Sequence, residues 1–290
     1  MAALPAIADP AARRGAGWQA HLVLRFAHAA DRVPERTVLV ERRHAGPLRV
    51  QKALYPEAPA VCQAIIVHPP GGIVGGDTLD IAVTVDAGAH AQLTTPGAAK
   101  WYRSAGAPAR QQTTLVAQAD AALEWIPQET LLFDGARAEI GTRIELAGGA
   151  RFIGWDITCL GRTASGERFD HGCCAQSVDV FREGALIWCE RTVLEGGSRA
   201  LHSGAMLGGA PVYGTLVAAG SVIDDGLLAA CRAIGATNGE GAVTRLNAAL
   251  VARFRGASAL AARTYFANLW HVLRPAFVGR VAVPPRIWST

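Results

Sequence analysis

Alternation of apolar and polar residues runs through the first three quarters of the chain and predicts β-strands. Residues 18–26 place their apolar side chains on one face with the period of two that a strand requires, and residues 78–85 do the same. The apolar positions of the first stretch are Trp18, Ala20, Leu22, Leu24 and Phe26. Further strands are predicted at residues 37–40, 61–67, 90–94, 113–118, 121–126, 143–146, 152–159, 176–181, 185–194, 211–219 and 243–254. Short strands separated by glycine-containing turns predict a mainly β fold with sandwich, barrel or stacked-sheet packing.

Two α-helices are predicted near the C-terminus, over residues 226–234 and 259–273. Pro275 is expected to end the second helix, because the proline ring excludes continuation. The expected N-terminal caps are Asp224 or Asp225 for the first helix and Ser258 for the second.

A segment rich in glycine and proline, residues 68–77, separates two apolar runs. Proline has no amide donor and glycine loses the most backbone entropy on ordering, so neither suits a helix or a central strand. The apolar flanks indicate one specified turn between two buried strands. The turn-forming residues are Pro69, Pro70, Gly71, Gly72, Gly75 and Gly76.

Composition adds a cellular setting to this pattern. Of 290 residues, 50% are hydrophobic and 18% are charged, which is typical of a globular chain. No fixed-period repeat or long linker appears, so we expect a flexible tail over residues 1–16 and a single domain over residues 17–290.

Apolar stretches fall short of the roughly 20 residues of a membrane helix. Six cysteines without regular spacing favour free thiols in a cytoplasmic protein. The net charge of +4 is modest and the arginines are spread out, so a nucleic-acid footprint is weakly supported.

Familiar catalytic motifs are missing from the sequence. The glycine-rich turn is not followed by the Gly-Lys-Ser/Thr of a phosphate-binding loop. There is no Gly-x-Ser-x-Gly nucleophile elbow, no His-Glu-x-x-His zinc helix and no Cys-x-x-Cys. These absences make an enzyme less expected but do not exclude one.

Polar clusters remain as candidate sites. His171, Cys173 and Cys174 offer imidazole and thiol ligands. However, adjacent residues of a strand point to opposite faces, so a structural use of the two cysteines is favoured. Glu124 and Glu129 lie in an apolar stretch. They must be paired with an arginine, such as Arg103 or Arg162, or else face a wet internal channel.

Two further clusters have alternative interpretations. Residues 161–167 form a polar turn that could hold an anion through Arg162, although such turns more often only reverse a strand. Residues 100–103 combine two bases with two aromatics. They could stack on a nucleic acid, or form an edge strand with extended basic side chains.

Several phrases of the sequence together resemble the UreD/UreH family of urease accessory proteins. They are residues 44–52 with 54–57, 68–77, 93–104, 125–129 with 133–134, 160–162, 165–167 and the C-terminal stretch 280–290. The resemblance runs from about Gly17 to the C-terminus. It implies a β-rich fold of strands stacked in a helical arrangement, with two helices.

The resemblance also implies a function. Members of the family are non-catalytic maturation factors that hold apo-urease together with UreF and the GTPase UreG. Nickel is thought to pass through their interior to the urease active site. No cofactor would be bound tightly, and Ni²⁺ would bind transiently. The residues expected along this passage are His68, Asp77, Glu124, Glu129, Asp134 and Glu167.

The second predicted helix is the candidate partner-binding element. Its Phe266 and Trp270 are either core residues or, if exposed, the contact for UreF. Two other functions stay open at this point. One is a stand-alone metal-dependent hydrolase that uses His68, Asp77 and His171. The other is an RNA-binding β domain that uses residues 100–103.

Overall fold

Two stacked β-sheets dominate the computed structural model, which describes residues 17–31 and 34–289. Strands account for 48% of the residues and helices for 14%, so the prediction of a mainly β fold is confirmed. The predicted tail, residues 1–16, lies outside the described residues. The assignment of residues 17–290 to one domain stays a prediction.

The elements follow one another along the chain as seventeen strands and three α-helices. The strands are β1 (Gln19–Ala29), β2 (Arg36–Ala45), β3 (Arg49–Val50), β4 (Val61–Val67), β5 (Thr78–Val85), β6 (His90–Thr94), β7 (Ala99–Trp101), β8 (Ala109–Ala117), β9 (Ala122–Trp125), β10 (Thr130–Leu132), β11 (Arg137–Leu146), β12 (Arg151–Leu160), β13 (Cys173–Arg182), β14 (Ala185–Glu195), β15 (Val212–Ala219), β16 (Gly239–Arg245) and β17 (Ala249–Gly256). The helices are α1 (Arg199–His202), α2 (Asp225–Arg232) and α3 (Ala259–Val278). Short 3-10 helices cover Thr163–Ser165 and Arg286–Ser289.

One sheet has seven strands, in the order β14-β13-β11-β8-β5-β1-β2. The other has ten. Eight of its strands lie in the order β16-β17-β15-β12-β9-β6-β4-β3, and β10 and β7 continue from β12 as a branch. From β4 to β13 the chain passes back and forth between the two sheets, and it forms two consecutive strands in the ten-stranded sheet at β6 and β7 and again at β9 and β10.

This alternation makes the chain a coil in which each strand pairs in parallel with the equivalent strand of the previous turn. Thr78 lies opposite Arg110, Arg110 opposite Glu139, and Val61 opposite His90. One turn takes roughly thirty residues, which is within the range of solenoid repeats. The stacking in the UreD/UreH resemblance is therefore confirmed as a solenoid-like arrangement.

The hydrophobic pattern of each strand reflects what covers its two faces. In β5 the residues alternate, and Leu79, Ile81 and Val83 point into the space between the sheets while their neighbours are half-buried. In β4, six consecutive residues from Val61 to Ile66 are buried. The ten-stranded sheet carries the inter-sheet core on one face and α3 on the other, so its central strands are covered on both faces.

Most predicted strands are present, with some corrections. Trp18 is 57% exposed and precedes β1, so it does not share the buried face of Leu22 and Leu24. The single strand predicted over residues 243–254 is the hairpin of β16 and β17. The short strands β3, β7 and β10 and the four-residue helix α1 were not predicted, because they are too short to show a period.

Helix α3 extends further than predicted. It passes through Pro275, continues to Val278 and ends at Gly279, whose φ of +68° suits glycine. A proline inside a helix removes one backbone hydrogen bond. The final turn nevertheless buries Phe277, which is 1% exposed, and this burial favours its helical conformation. Ser258 and Asp224 cap α3 and α2 through their side chains, as expected.

Close contact between α3 and the ten-stranded sheet depends on Gly214 in β15. A Cβ at this position would lie 2.5 Å from the carbonyl oxygen of Asp156 and 2.8 Å from the Phe266 ring. We expect Gly214→Ala to lower the free energy of unfolding by about 2 kcal/mol or more, because the helix must shift to avoid the clash. Chemical denaturation measures this change. Gly106→Ala is the control, since nothing lies within 4 Å of the added methyl group. Equal stability of the two variants would contradict the packing described.

Candidate functional site

The glycine and proline segment forms the predicted tight turn between β4 and β5. Asp77 at its end is 5% exposed, and its carboxylate accepts hydrogen bonds from the amides of Trp18 at 2.7 Å and Val74 at 2.9 Å. Gly72 has no space for a side chain, because a Cβ would lie 1.9 Å from the Tyr102 ring. Through the two hydrogen bonds from Trp18 and Val74, both carboxylate oxygens of Asp77 fix the conformation of the turn.

A cavity of about 320 Å³ opens between the two sheets beside this turn. Residues of four successive turns of the coil line its wall on the seven-stranded sheet, so the cavity runs along the coil axis. They are Ile81, Gln111, Thr142 and Gln176. On the other side, the wall includes the turn residues His68, Gly71 and Gly72, then Trp125, Gln128 and Asp156.

His68 supplies the imidazole of this wall. Its Nε2 atom is buried and has no hydrogen-bond partner among the described residues. Burial lowers the pKa of His68, and the charge of Asp77 acts in the opposite direction. The imidazole is therefore favoured in its neutral form, which is the form that binds metal ions.

Asp156 supplies the carboxylate of this wall and was not predicted from the sequence. It lies in the middle of β12, and its carboxylate accepts no hydrogen bond from the described residues. Burial and the charge of Glu190 together raise its pKa to about 7, against the opposing charge of Arg253. Asp156 is surrounded by protein, yet it is partly accessible because the cavity reaches it.

A second polar cluster, fully buried, centres on Glu124 and lies between the ten-stranded sheet and α3. Glu124 and Arg274 are both 0% exposed. The Arg274 guanidinium donates to both carboxylate oxygens, at 3.0 Å each from Nε and Nη2. His90 Nε2 and Trp270 Nε1 each lie 2.6 Å from the same carboxylate. Arg274 also bonds to Glu57 at 2.6 Å and to the carbonyl of Val281.

This cluster holds Glu124 as a charged carboxylate inside the protein. Burial alone would raise its pKa, but the hydrogen bond and charge of His90 and those of Arg274 outweigh burial and lower the pKa to about 2. Both oxygens of Glu124 are committed to internal partners. The paired interpretation of Glu124 therefore holds, although the arginine is Arg274 and neither Arg103 nor Arg162.

Glu129 lies between two residues of the cavity wall, Gln128 and Thr130. Its carboxylate is 3.5 Å from Nη1 of Arg263 on α3, a distance that gives an ion pair and no strong hydrogen bond. The same arginine donates to the side chain of Gln128. Glu129 is thus also paired, with Arg263, at the edge of the cavity.

Asp134 and Glu167 meet in a loop cluster outside the cavity wall. Asp134 accepts hydrogen bonds from the amides of Asp170 and His171 and from Arg103 Nη2, at 2.8–3.0 Å. Nδ1 of His171 also lies 3.2 Å from the Asp134 carboxylate. Burial would raise the pKa of Asp134, but the contacts with His171 and Asp170 lower it. Glu167 binds Arg162 at 2.6 Å, which lowers its pKa.

The proposed aromatic contact on α3 is corrected by the structure. Phe266 and Trp270 are both 0% exposed, because this face of α3 packs on the ten-stranded sheet. Trp270 also donates its indole N–H to Glu124. Both residues therefore belong to the core, and neither can be an exposed anchor for a partner.

The other candidate clusters are structural where the chain is described. Trp101 is 2% exposed, and the half-buried Tyr102 ring packs edge-on against Phe133 at 4.7 Å, so both aromatic rings of residues 100–103 are used in internal packing. Cys174 is buried, with its pKa raised to about 12 by burial, which disfavours a metal-binding thiolate. Within residues 17–31 and 34–289, no three His, Cys, Asp or Glu side chains form a group that could hold a metal ion. Over the same residues, no helix has the length and apolar character needed to cross a membrane.

Comparison with known proteins assigns the family. The sequence pattern of the family described as UreD urease accessory protein matches residues 19–289. A urease accessory protein UreD of Dechloromonas aromatica is 52% identical over 277 residues, which cover 94% of this chain and 95% of the relative. The UreD proteins of Pseudomonas aeruginosa and Nitrosococcus oceani are 53% and 52% identical, over 94% of this chain and 95% and 90% of their own lengths. This chain belongs to the UreD family.

Membership of the UreD family supports a role in urease maturation. Three residues of the cavity wall and the Glu124 cluster were not predicted from the sequence, namely Asp156, His90 and Arg274. Asp156 carried a visible signal, a single acid inside the apolar run of β12. His90 and Arg274 carried none, because Glu124 meets Arg274 across 150 positions of sequence.

Removing the buried carboxylate of this UreD-family protein tests the Glu124 cluster. We expect Glu124→Ala to lower the free energy of unfolding by about 3–5 kcal/mol, because it leaves the buried Arg274 with less compensation. Guanidinium denaturation measures the loss. The control is Glu145→Ala, which removes an exposed pair with Arg143 and should cost at most about 1 kcal/mol. Similar losses in the two variants would show that the buried pair contributes no more to the free energy of unfolding than an exposed pair.

The same cluster predicts acid sensitivity. The folded pKa of Glu124, about 2, lies below its ordinary value of 4.5, so its contribution to stability is present above pH 4.5 and is lost as the pH falls towards 2. We expect the stability difference between the wild type and Glu124→Gln to shrink by about 2 kcal/mol or more across this range. Denaturation at a series of pH values measures it. A difference that stays constant with pH would contradict the assignment of a charged Glu124.

Proposed function

We propose that this chain is a non-catalytic factor that passes nickel to urease, acting in the cytoplasm with apo-urease, UreF and the GTPase UreG. Its place in the UreD family supports the role in urease maturation. The observation that carries the nickel step is the cavity between the sheets, which reaches from His68 to Asp156 along the coil axis.

The chemistry of the cavity wall suits a divalent cation in transit. Nickel binds imidazole nitrogen and carboxylate oxygen, and a passage needs contacts weak enough to release the ion. His68 Nε2 and Glu129 Oε2 are buried without a hydrogen-bond partner among the described residues. The Asp156 carboxylate lines the cavity, and no hydrogen bond contributes to its pKa shift. The amide side chains of Gln111 and Gln176 lie along the same wall, and apolar residues fill the rest.

The six residues predicted for the passage divide by their surroundings. His68 lines the cavity and Glu129 adjoins it, so both remain in the proposed route. Asp134 and Glu167 lie in the loop cluster outside the wall, where they would act only before or after the cavity. Asp77 and Glu124 use their carboxylates in internal hydrogen bonds, so we leave them out and add Asp156.

The sequence supports the proposed division of roles between this chain and UreG. The chain has no phosphate-binding loop, which agrees with GTP hydrolysis by UreG. The alternative of a stand-alone hydrolase needs His68, Asp77 and His171 in one site. Asp77 is bound to the turn, and His171 is directed to Asp134, so the described geometry does not favour that alternative.

Substitution of Asp156 tests the proposed passage. We expect Asp156→Asn to lower the nickel content and activity of urease in a reconstituted activation reaction several-fold, because the cavity loses its only unpaired carboxylate among the described residues. Metal analysis of the purified urease and co-purification of the complex give the two readouts. Assembly should be unchanged.

Asp80→Asn is the matched control, because Asp80 pairs with His21 at 3.0 Å on the outer face of the seven-stranded sheet. Its nickel delivery should equal that of the wild type. Normal nickel content with Asp156→Asn would remove Asp156 from the route. Full activation of urease without this chain would overturn the proposed function itself.

A further inference from the structure

The last strand of each sheet carries exposed basic side chains at the N-terminal end of the coil. These residues, Arg42 and His44 of β2 with Arg49 of β3 and the following Lys52, are named here the basic edge. All four are exposed, and none forms an ion pair with a described residue. Arg49 donates to the carbonyls of Gly46 and Leu48, which holds its guanidinium over the turn between the two strands.

The basic edge differs from the neighbouring surface of the same protein. On the outer face of the seven-stranded sheet, Arg25 pairs with Asp86 at 2.9 Å and Arg110 pairs with Glu139. Arg191 pairs with Asp179 at 2.7 Å. More than half of the described arginines lie within ion-pair distance of a carboxylate. Unpaired basic side chains also occur singly elsewhere, as at Arg137 and Arg199, but at the basic edge four of them lie within eleven residues of sequence, although their neighbour Arg43 pairs with Glu41.

The position of the basic edge makes it accessible to a large partner. β2 pairs only with β1 and β3 pairs only with β4, so both strands keep one free side within the described chain. Val40 on β2 is 53% exposed and Leu54 beyond β3 is 41% exposed. Both side chains would add apolar contact area to an interface formed at this edge.

We propose that the basic edge docks onto an acidic, carboxylate-rich face of a protein partner of urease maturation. The charges of Arg42, Arg49 and Lys52, with the His44 imidazole and the two exposed apolar side chains, give that partner charge complementarity and apolar contact. A nucleic acid fits less well, because the ring of Tyr55, just beyond the basic edge, is covered by Arg36 at 4.5 Å and is not free to stack on bases. The inference takes its candidate partners from the proposed function but does not depend on the nickel route.

Charge reversal at the basic edge tests the inference. The full chain with Arg42→Glu and Lys52→Glu is compared with the wild type for binding to purified apo-urease, UreF and UreG, each immobilised separately. We expect the affinity for one of the three to fall about tenfold at about 0.1 M salt, and the difference to shrink at about 1 M salt, where exposed charges are screened. The thermal midpoint should be unchanged, because neither residue is buried.

The control variant reverses two other exposed cations without a carboxylate partner, Arg137 and Arg199, and should bind all three proteins like the wild type. Unchanged affinity of the Arg42/Lys52 variant for every partner would overturn the inference, and so would an equal loss in the control. A loss seen only with a polyuridine RNA probe would also overturn it and would favour nucleic acid. Failure of the proposed function differs from these outcomes, because it appears as urease activation that does not require the chain.

Discussion

The buried ion pair of Glu124 and Arg274 joins parts of the protein that the coil alone would leave separate. A coil of parallel strands is held together by contacts between successive turns, which are local. Arg274 brings α3 onto the ten-stranded sheet, and through Glu57 and Val281 it also fixes the segment before β4 and the C-terminal stretch. Two charges can be buried here because each has several partners with good geometry.

This pair also shapes the cavity on the opposite face of the sheet. Glu124 and Trp125 are neighbours in β9, and adjacent residues of a strand point to opposite faces. Glu124 therefore faces α3 while Trp125 forms part of the cavity wall. Trp155 continues the same arrangement in β12, because its indole binds the carbonyl of Pro127 and its neighbour Asp156 lines the cavity. One wall of the proposed passage is thus a face of the ten-stranded sheet, and α3 covers the opposite face of the same sheet.

Much of this architecture could be predicted from the sequence, and the failures have identifiable physical causes. The alternation in β5 and the turn at His68 to Asp77 depend on local backbone chemistry, so the sequence displays them directly. The solenoid repeat was invisible because successive turns differ in length and share no motif; only the resemblance indicated it. Pro275 was expected to end α3, but burial of Phe277 in the last turn outweighs the lost hydrogen bond.

The candidate site was harder to predict, because its contacts are long-range. Glu124 was recognised as a carboxylate in need of a partner, yet nothing local indicates Arg274. Trp270 was considered as a partner contact because helical spacing alone does not say which face is buried. Asp156 could have been predicted as a site residue, since a lone acid in an apolar strand must face water or a partner.

The central claim is that a divalent cation travels through the space between the two sheets. X-ray diffraction at the nickel absorption edge, from crystals of the protein in its urease maturation complex soaked with Ni²⁺, tests this most directly. The account predicts an anomalous peak inside the cavity, within bonding distance of His68 or Asp156. Peaks confined to the outer surface, with the cavity holding only water, would contradict it.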